Sequence, residues 1–242
     1  MYYRIFISRF VIILISILLF SCVQSKPISF DGSNAINYIE NQIGFGPRIP
    51  GSKSSDATKN FIKKELESSG WIVENQNFIF AQKDLTNIIA KSSNVLPKVI
   101  IGTHYDTRAF SDNESSLSLK KTPVPGANDG ASGTAVLLEL GRIIKRDKFD
   151  IWLVFFDAED QGNIENWEWS IGAQYFVNNL DFTPESVIII DMIGDANLEI
   201  YKENYSTISL VDSVWYEAEK LGYKSNFIHD NNIQLLTTIF LS

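Results

Sequence analysis

The chain carries a single cysteine, Cys22, so no disulfide within it can form in any compartment and the fold must rest on its core. Basic residues are also in the minority, 21 lysines and arginines against 29 aspartates and glutamates, giving a net charge of −8. No basic cluster is available to follow a phosphate backbone, which argues against nucleic acid as a partner. The one long apolar run, Phe10 to Phe20, spans eleven residues, well short of the ~20 that a membrane-spanning helix requires. Internal repeats and low-complexity tracts are absent. A nucleophilic-serine hydrolase is disfavoured as well, because Gly130-Ala131-Ser132-Gly133 lacks the spacing of a nucleophile elbow. What remains is a chain of 242 residues, 45% of them hydrophobic, enough for one ordinary domain with a real core.

The first 22 residues have the layout of an export signal. Arg4 and Arg9 form a positive start, the apolar run follows, and Leu19-Phe20-Ser21-Cys22 has the form of a bacterial lipobox, whose cysteine is lipidated after cleavage. Residues 1–22 are therefore expected to be a lipoprotein-type signal peptide and residues 23–33 a short polar tether. The expected location is the cell envelope, with the membrane reached through the lipid on Cys22 only. Removal of Arg4 and Arg9 would leave 19 basic and 29 acidic residues.

Beyond the tether, helical spacing of Ala35, Ile36, Ile39 and Ile43 predicts a helix over 34–44, and Phe61, Ile62 and Leu66 mark a second over 55–69. Residues 71–80 and 87–91 read as strands, being rich in aromatic and β-branched side chains. Three short apolar runs then end abruptly in polar residues. Val99-Ile100-Ile101 leads to His104 and Asp106, Ile151 to Phe156 leads to Asp157-Ala158-Glu159-Asp160, and Val187 to Ile190 leads to Asp191. Helical patterns lie between them, over about 132–146 and 167–179. Buried strands alternating with helices predict parallel pairing in an open α/β sheet, whose ligands bind beyond the carboxyl ends of the strands. His104, Asp129, Glu159, Asp160 and Asp191 would then meet at one edge. Asp129 sits among Gly126, Ala127, Gly130 and Ala131, residues with almost no side chain to keep a ligand away. Carboxylates gathered in this way repel unless a cation holds them, and a histidine among them suits zinc.

The segments GTHYDTR, PGANDGASG, FFDAED and IIDMIGD, in this order and spacing, resemble the zinc aminopeptidase and glutaminyl cyclase superfamily, over roughly residues 34–232. The Gly-Pro-Arg-x-Pro-Gly-Ser turn at 46–52 is similar to its N-terminal region. The bacterial glutaminyl-cyclase-like members are closest, sharing the Tyr-Asp-Thr-Arg turn, the Asp-Ala-Glu-Asp acids and a Trp-rich segment before Gly-Ala-Gln-Tyr. The resemblance implies a three-layer α/β/α fold with a central mixed, mostly parallel sheet, lacking its C-terminal part. It implies that Asp129 and Asp160 are zinc ligands, that Glu159 is the general base and that Asp191 belongs to the catalytic set. In the aminopeptidases His104 and Asp191 match the residues that hold a second metal; in the cyclases they line the site without one. Trp167 and Trp169 are expected beside the substrate pocket, and His229 is read as a loop residue.

Two reactions on peptide or protein N-termini fit these residues. In a glutaminyl-peptide cyclotransferase, using one zinc, the terminal amine attacks its own side-chain amide, with formation of pyroglutamate and loss of ammonia. In a metallo-aminopeptidase, using two, the first peptide bond is hydrolysed. A third reading is a surface lipoprotein that keeps the fold without catalysis. A monomer is expected. The final residues, 233–242 (IQLLTTIFLS), carry no charge and stand where superfamily members continue to an Asp-Asp-His-x-Pro-Phe motif that supplies a third zinc ligand. With one base added in front, codons permitted for these ten residues spell Tyr-Ser-Ile-Ile-Asp-Asp-His-Ile-Pro-Phe. A frameshifted tail, weak zinc binding, low activity and a bare sheet edge are the resulting expectations.

Overall fold

The computed structural model describes residues 29–202, 205–229 and 238–241. The signal segment, Cys22, most of the tether and residues 230–237 lie outside the described residues. Five α-helices and eight strands are described: α1 (Gly32–Gly44), α2 (Lys53–Ser68), β1 (Ile72–Phe80), β2 (Lys83–Lys91), β3 (Val99–His104), α3 (Ala131–Ile143), β4 (Ile151–Phe156), α4 (Ile171–Asn178), β5 (Ser186–Asp191), β6 (Ile200–Tyr201), α5 (Ile208–Lys220), β7 (Phe227–Ile228) and β8 (Thr238–Leu241). Among them no helix is long and apolar enough to cross a membrane.

Six strands form one sheet in the order β1-β2-β4-β3-β5-β8. The centre is parallel, β3 pairing with β4 on one side and β5 on the other, and antiparallel pairs flank it. Helices cover both faces, because each central strand is apolar on both sides and neither side can be left to water. On one face Leu66 of α2 and Leu137 and Leu138 of α3 pack with Tyr38 of α1 on Ile88, Leu153 and Phe155. On the other, Phe176 of α4 meets Ile89, Ile100, Val154 and Phe156. The three-layer α/β fold is therefore observed. A smaller unit, β6 paired in parallel with β7, packs under α5 around Trp215.

Three details differ from expectation. Strand β2 begins at Lys83 and pairs with β1 through a two-residue turn, so residues 72–91 are one hairpin. The helix expected from residue 167 begins only at Ile171, because Ser170 holds a left-handed backbone (φ 58°) that a helix cannot include. And β8 pairs antiparallel with Asp191 to Ile188 of β5, so the sheet ends on that side at β8 rather than at β5.

Candidate metal centre

The carboxyl ends of β3, β4 and β5 lie side by side, and each delivers its acids or histidine to the same place. His104, the last residue of β3, is buried and makes three carboxylate contacts. Its Nδ1 lies 3.3 Å from Asp106 Oδ1; its Nε2 lies 3.0 Å from Asp129 Oδ1 and 3.2 Å from Asp191 Oδ1. Burial alone would lower the ring's pKa, but Asp106, Asp129 and Asp191 outweigh it and hold the imidazole well above its ordinary range.

Asp129 is placed by a loop that only small residues can form. Gly130 has φ 85°, and a Cβ there would stand 2.6 Å from the Asp106 carbonyl and 3.2 Å from the His104 ring. Buried Arg48 ties the loop from below, donating from Nε to the Tyr105 carbonyl (2.9 Å), from Nη1 to that of Pro125 (2.9 Å) and from Nη2 to that of Gly126. Burial pulls this guanidinium down to about 10, and Asp106 and Asp129 oppose the fall. Burial would raise Asp129, yet His104, Arg48 and Arg108 together keep it below the ordinary carboxylate value. On the neighbouring strand, Asp191 is followed by Met192 with φ 49°. The turn is held by Ile193 N–H on Ser132 Oγ (3.1 Å) and Gly194 N–H on Asn128 Oδ1 (2.7 Å), which fixes the end of β5 to the start of α3.

The acids after β4 follow another left-handed residue, Ala158 (φ 54°), and strain of this kind persists only where surrounding bonds over-determine it. Here Asp106 supplies them. Fully buried, it accepts from Glu159 N–H at 2.9 Å, Asp160 N–H at 3.2 Å and Gln161 Nε2 at 3.2 Å. Glu159 accepts from Ser170 Oγ at 3.0 Å. Its pKa is raised by burial, with Asp106 and Asp191 adding to the rise and His104 opposing it. Asp160 is pushed up to about 8 by burial, then by Asp129 and Asp106. Its Oδ1 lies 3.7 Å from Arg108 Nη1.

His104, Asp129 and Asp191 thus offer one nitrogen and two oxygens, all within 4.8 Å of one another. With metal–ligand bonds of ~2.0–2.2 Å, such a spread suits one divalent cation, and a nitrogen with two carboxylate oxygens suits zinc. Asp160 is outside that trio; the Asp129 charge raises its pKa and the His104 ring lowers it. His229 follows β7, is exposed and lies in no helix or strand, so it is a loop residue, as expected.

The two tryptophans separate. Trp169 is 46% exposed with the Arg108 guanidinium 5.0 Å from its ring centroid, on the rim of the acid cluster. Trp167 is only 7% exposed and packs with Phe78, Leu85, Ala158 and Ile171, its ring edge-on to Phe80 at 4.9 Å. It is a core residue and no pocket wall; the apolar face of the β1–β2 hairpin needed a large cover. Reading of the sequence also gave no role to Asp106, Arg48, Gln161 or Ser170. Asp106 had a signal, two residues past a histidine at a strand end; Ser170 had none.

Residues 87–240 match Peptidase family M28. A Zn-dependent exopeptidase from Parabacteroides distasonis ATCC 8503 superposes with a TM-score of 0.78 at 32% identity, covering 84% of this chain and 77% of that one. Bacteroides thetaiotaomicron glutaminyl cyclase bound to N-acetylhistamine gives 0.77 at 32% identity, covering 85% and 77%. Aminopeptidase YwaD of Bacillus subtilis (strain 168) is 26% identical over 229 residues, 84% of this chain and 44% of that protein. The chain spans about half the length of the curated relatives it matches. With the family matched across most of the sheet and the acids gathered at its strand ends, the chain belongs to Peptidase family M28.

Proposed function

We propose that this chain performs zinc-dependent acyl chemistry at peptide N-termini, as a glutaminyl-peptide cyclotransferase. The observation that carries the reading is the pairing of a half-buried, raised acid with a charge-compensated one in a single cluster. Glu159 has its pKa lifted by burial while Asp129 stays below the ordinary value. Two carboxylates driven apart in this way take different roles, one exchanging protons and the other staying charged.

Glu159 is the proton carrier. It takes a proton from the substrate's terminal amine and returns it to the leaving ammonia, and the burial that raises its pKa favours its holding that proton between the two steps. Ser170 holds one of its oxygens. Asp129 and Asp160 would hold the zinc, which when bound supplies Lewis-acid polarisation of the side-chain amide carbonyl. His104 joins Asp129 to Asp191 and keeps both in place, while Trp169 offers an aromatic face at the rim. Likeness to Bacteroides thetaiotaomicron glutaminyl cyclase fits this reaction, and an equal likeness to the Zn-dependent exopeptidase fits the second reading below.

The trio His104, Asp129 and Asp191 favours a second reading, a two-metal aminopeptidase, since the same three atoms fit a second cation. In that case Glu159 would activate water rather than an amine. Glutamine and leucine amides of one fluorophore separate the two, with a coupling aminopeptidase added to release dye from the cyclised product. Signal from the glutamine amide only with the coupling enzyme is expected. Leucine-amide turnover without it would sink the cyclase; no turnover of either would favour a non-catalytic lipoprotein. Cys22 as the lipid-bearing residue, and attachment to the cell envelope, belong to the same proposal.

A further inference from the structure

The first described residues are latched to one end of the molecule. Glu139 of α3, fully buried, accepts from Asp31 N–H at 2.7 Å, from Asn34 Nδ2 at 2.7 Å and from Arg142 Nε at 2.9 Å. Arg142 Nη2 donates to the Ser29 carbonyl at 2.9 Å. Helix α1 then runs back along α3, for Gln42 Nε2 reaches the Ala131 carbonyl at 3.2 Å. Ser29 therefore lies by the carboxyl end of α3, while the metal centre lies at its amino end, beside Ala131. The 13 residues of α3 separate the two by ~20 Å.

The end where Ser29 lies carries apolar side chains with no cover. Phe149 is 60% exposed, Val95 60% and Leu96 57%. Phe149 borders a concavity of about 460 Å³ floored by Val99, Ile144 and Ile151, at the amino ends of β3 and β4. Its cations are already paired with acids: Lys98 lies 3.6 Å from Glu185, and Lys148 3.6 Å from Asp147. Asp150 adds a further negative charge at the same rim.

We propose that this end of the molecule is a membrane-contact face, lying on the lipid surface with Val95, Leu96 and Phe149 in the interface and the metal centre turned outward. The inference rests on the reading of Cys22 as a lipid anchor. Seven residues lead from Cys22 to Ser29 and reach at most ~25 Å. That keeps the latched end near the bilayer and makes its contact intramolecular, so a patch too small to bind lipid from solution still engages. Because the cations are balanced, the contact is apolar and does not depend on anionic headgroups. The device keeps the acid cluster open to peptides arriving from the aqueous side.

The test uses the full chain, produced in a host that lipidates exported cysteines and inserted into phosphatidylcholine vesicles carrying brominated acyl chains. With Cys22 blocked by lipid, an added cysteine is the only free thiol for an environment-sensitive dye. Dye on Val95→Cys should be blue-shifted and quenched several-fold more than dye on Leu117→Cys, a 79%-exposed position in the loop beyond β3 on the metal side. Adding Leu96→Ser and Phe149→Ser should bring the Val95→Cys signal down to the Leu117→Cys level while the protein stays on the vesicles. Replacing part of the lipid by phosphatidylglycerol should leave the contrast unchanged. Equal quenching at the two positions, or more at Leu117→Cys, overturns the proposal. So does a Cys22 shown by mass spectrometry to carry no lipid, a result that leaves the zinc chemistry untouched.

Discussion

Asp106 shows how much one buried side chain can decide. It accepts from two consecutive backbone amides that place Glu159 and Asp160, from the Gln161 side chain, and faces His104 Nδ1. Truncation would leave the Glu159 and Asp160 amides without their acceptor and Gln161 Nε2 with only the Thr107 carbonyl, so Asp106→Ala should destabilise the protein by ~2–4 kcal/mol in urea unfolding and abolish turnover. A loss under ~1 kcal/mol would show that water replaces the carboxylate freely. Asp157 makes the opposite case. Burial first, then Asp106, raise it to about 6, although Thr86 N–H bonds to it. A raised acid contributes stability that is full below its unfolded pKa, near 4, and is lost as pH rises through 6; the two units amount to ~3 kcal/mol. Asp157→Asn should therefore flatten the fall in unfolding free energy between pH 4 and pH 7. An unchanged slope would assign that fall to other groups. The tryptophans differ in the same residue-by-residue manner: Trp167→Ala should cost ~3–5 kcal/mol as a large-to-small core change, whereas Trp169→Ala should leave stability nearly unaltered and weaken substrate binding.

The elements were legible where period and punctuation agreed. The three apolar runs that end in acids or histidine are β3, β4 and β5, and their alternation with α3 and α4 was enough to foresee parallel pairing and a site at their carboxyl ends. The β1–β2 hairpin was not legible as one unit. Its turn is Ala81-Gln82, at φ 46° and 61°, where the sequence offers none of the Asn-Gly or Gly-Gly signals that such left-handed turns favour. The start of α4 was misjudged for a related reason, since nothing in the letters Trp167 to Ser170 reports that Ser170 is left-handed. Both cases are backbone strain that tertiary packing imposes and composition conceals. Gln82→Gly should relieve it at the hairpin, raising stability by up to ~1 kcal/mol by removing a side chain from a positive-φ position. Chemical unfolding with an unchanged m-value would register the gain; a loss would mean that the Gln82 side chain makes a contact worth more than the strain.

At the scale of the molecule, folding gathers like charges that the extended chain keeps apart. Asp106, Asp129, Glu159, Asp160 and Asp191 come from strand ends and loops of a chain whose net charge is already −8. Among the described residues His104, Arg48 and Arg108 answer them in place. A divalent cation bound to the native state alone should therefore stabilise the whole fold, by ~2.7 kcal/mol at a free concentration one hundred times Kd. For a chain of this size that is a rise in Tm of about 5–10 °C. Among the described residues the cluster contains a single histidine, the rest being oxygen donors, so zinc should bind more weakly than at sites with several nitrogen or sulfur ligands. The Tm should climb over micromolar or higher zinc rather than saturate at equimolar addition. Asp160→Asn locates the ion. If zinc sits between Asp129 and Asp160, the variant loses the zinc-induced shift, and the metal-free protein is at least as stable as before because one crowded carboxylate has gone. If the ion sits instead among His104, Asp129 and Asp191, Asp160→Asn keeps the shift and Asp191→Asn loses it. Stoichiometric, tight zinc in a calorimetric titration would overturn the expectation of weak binding.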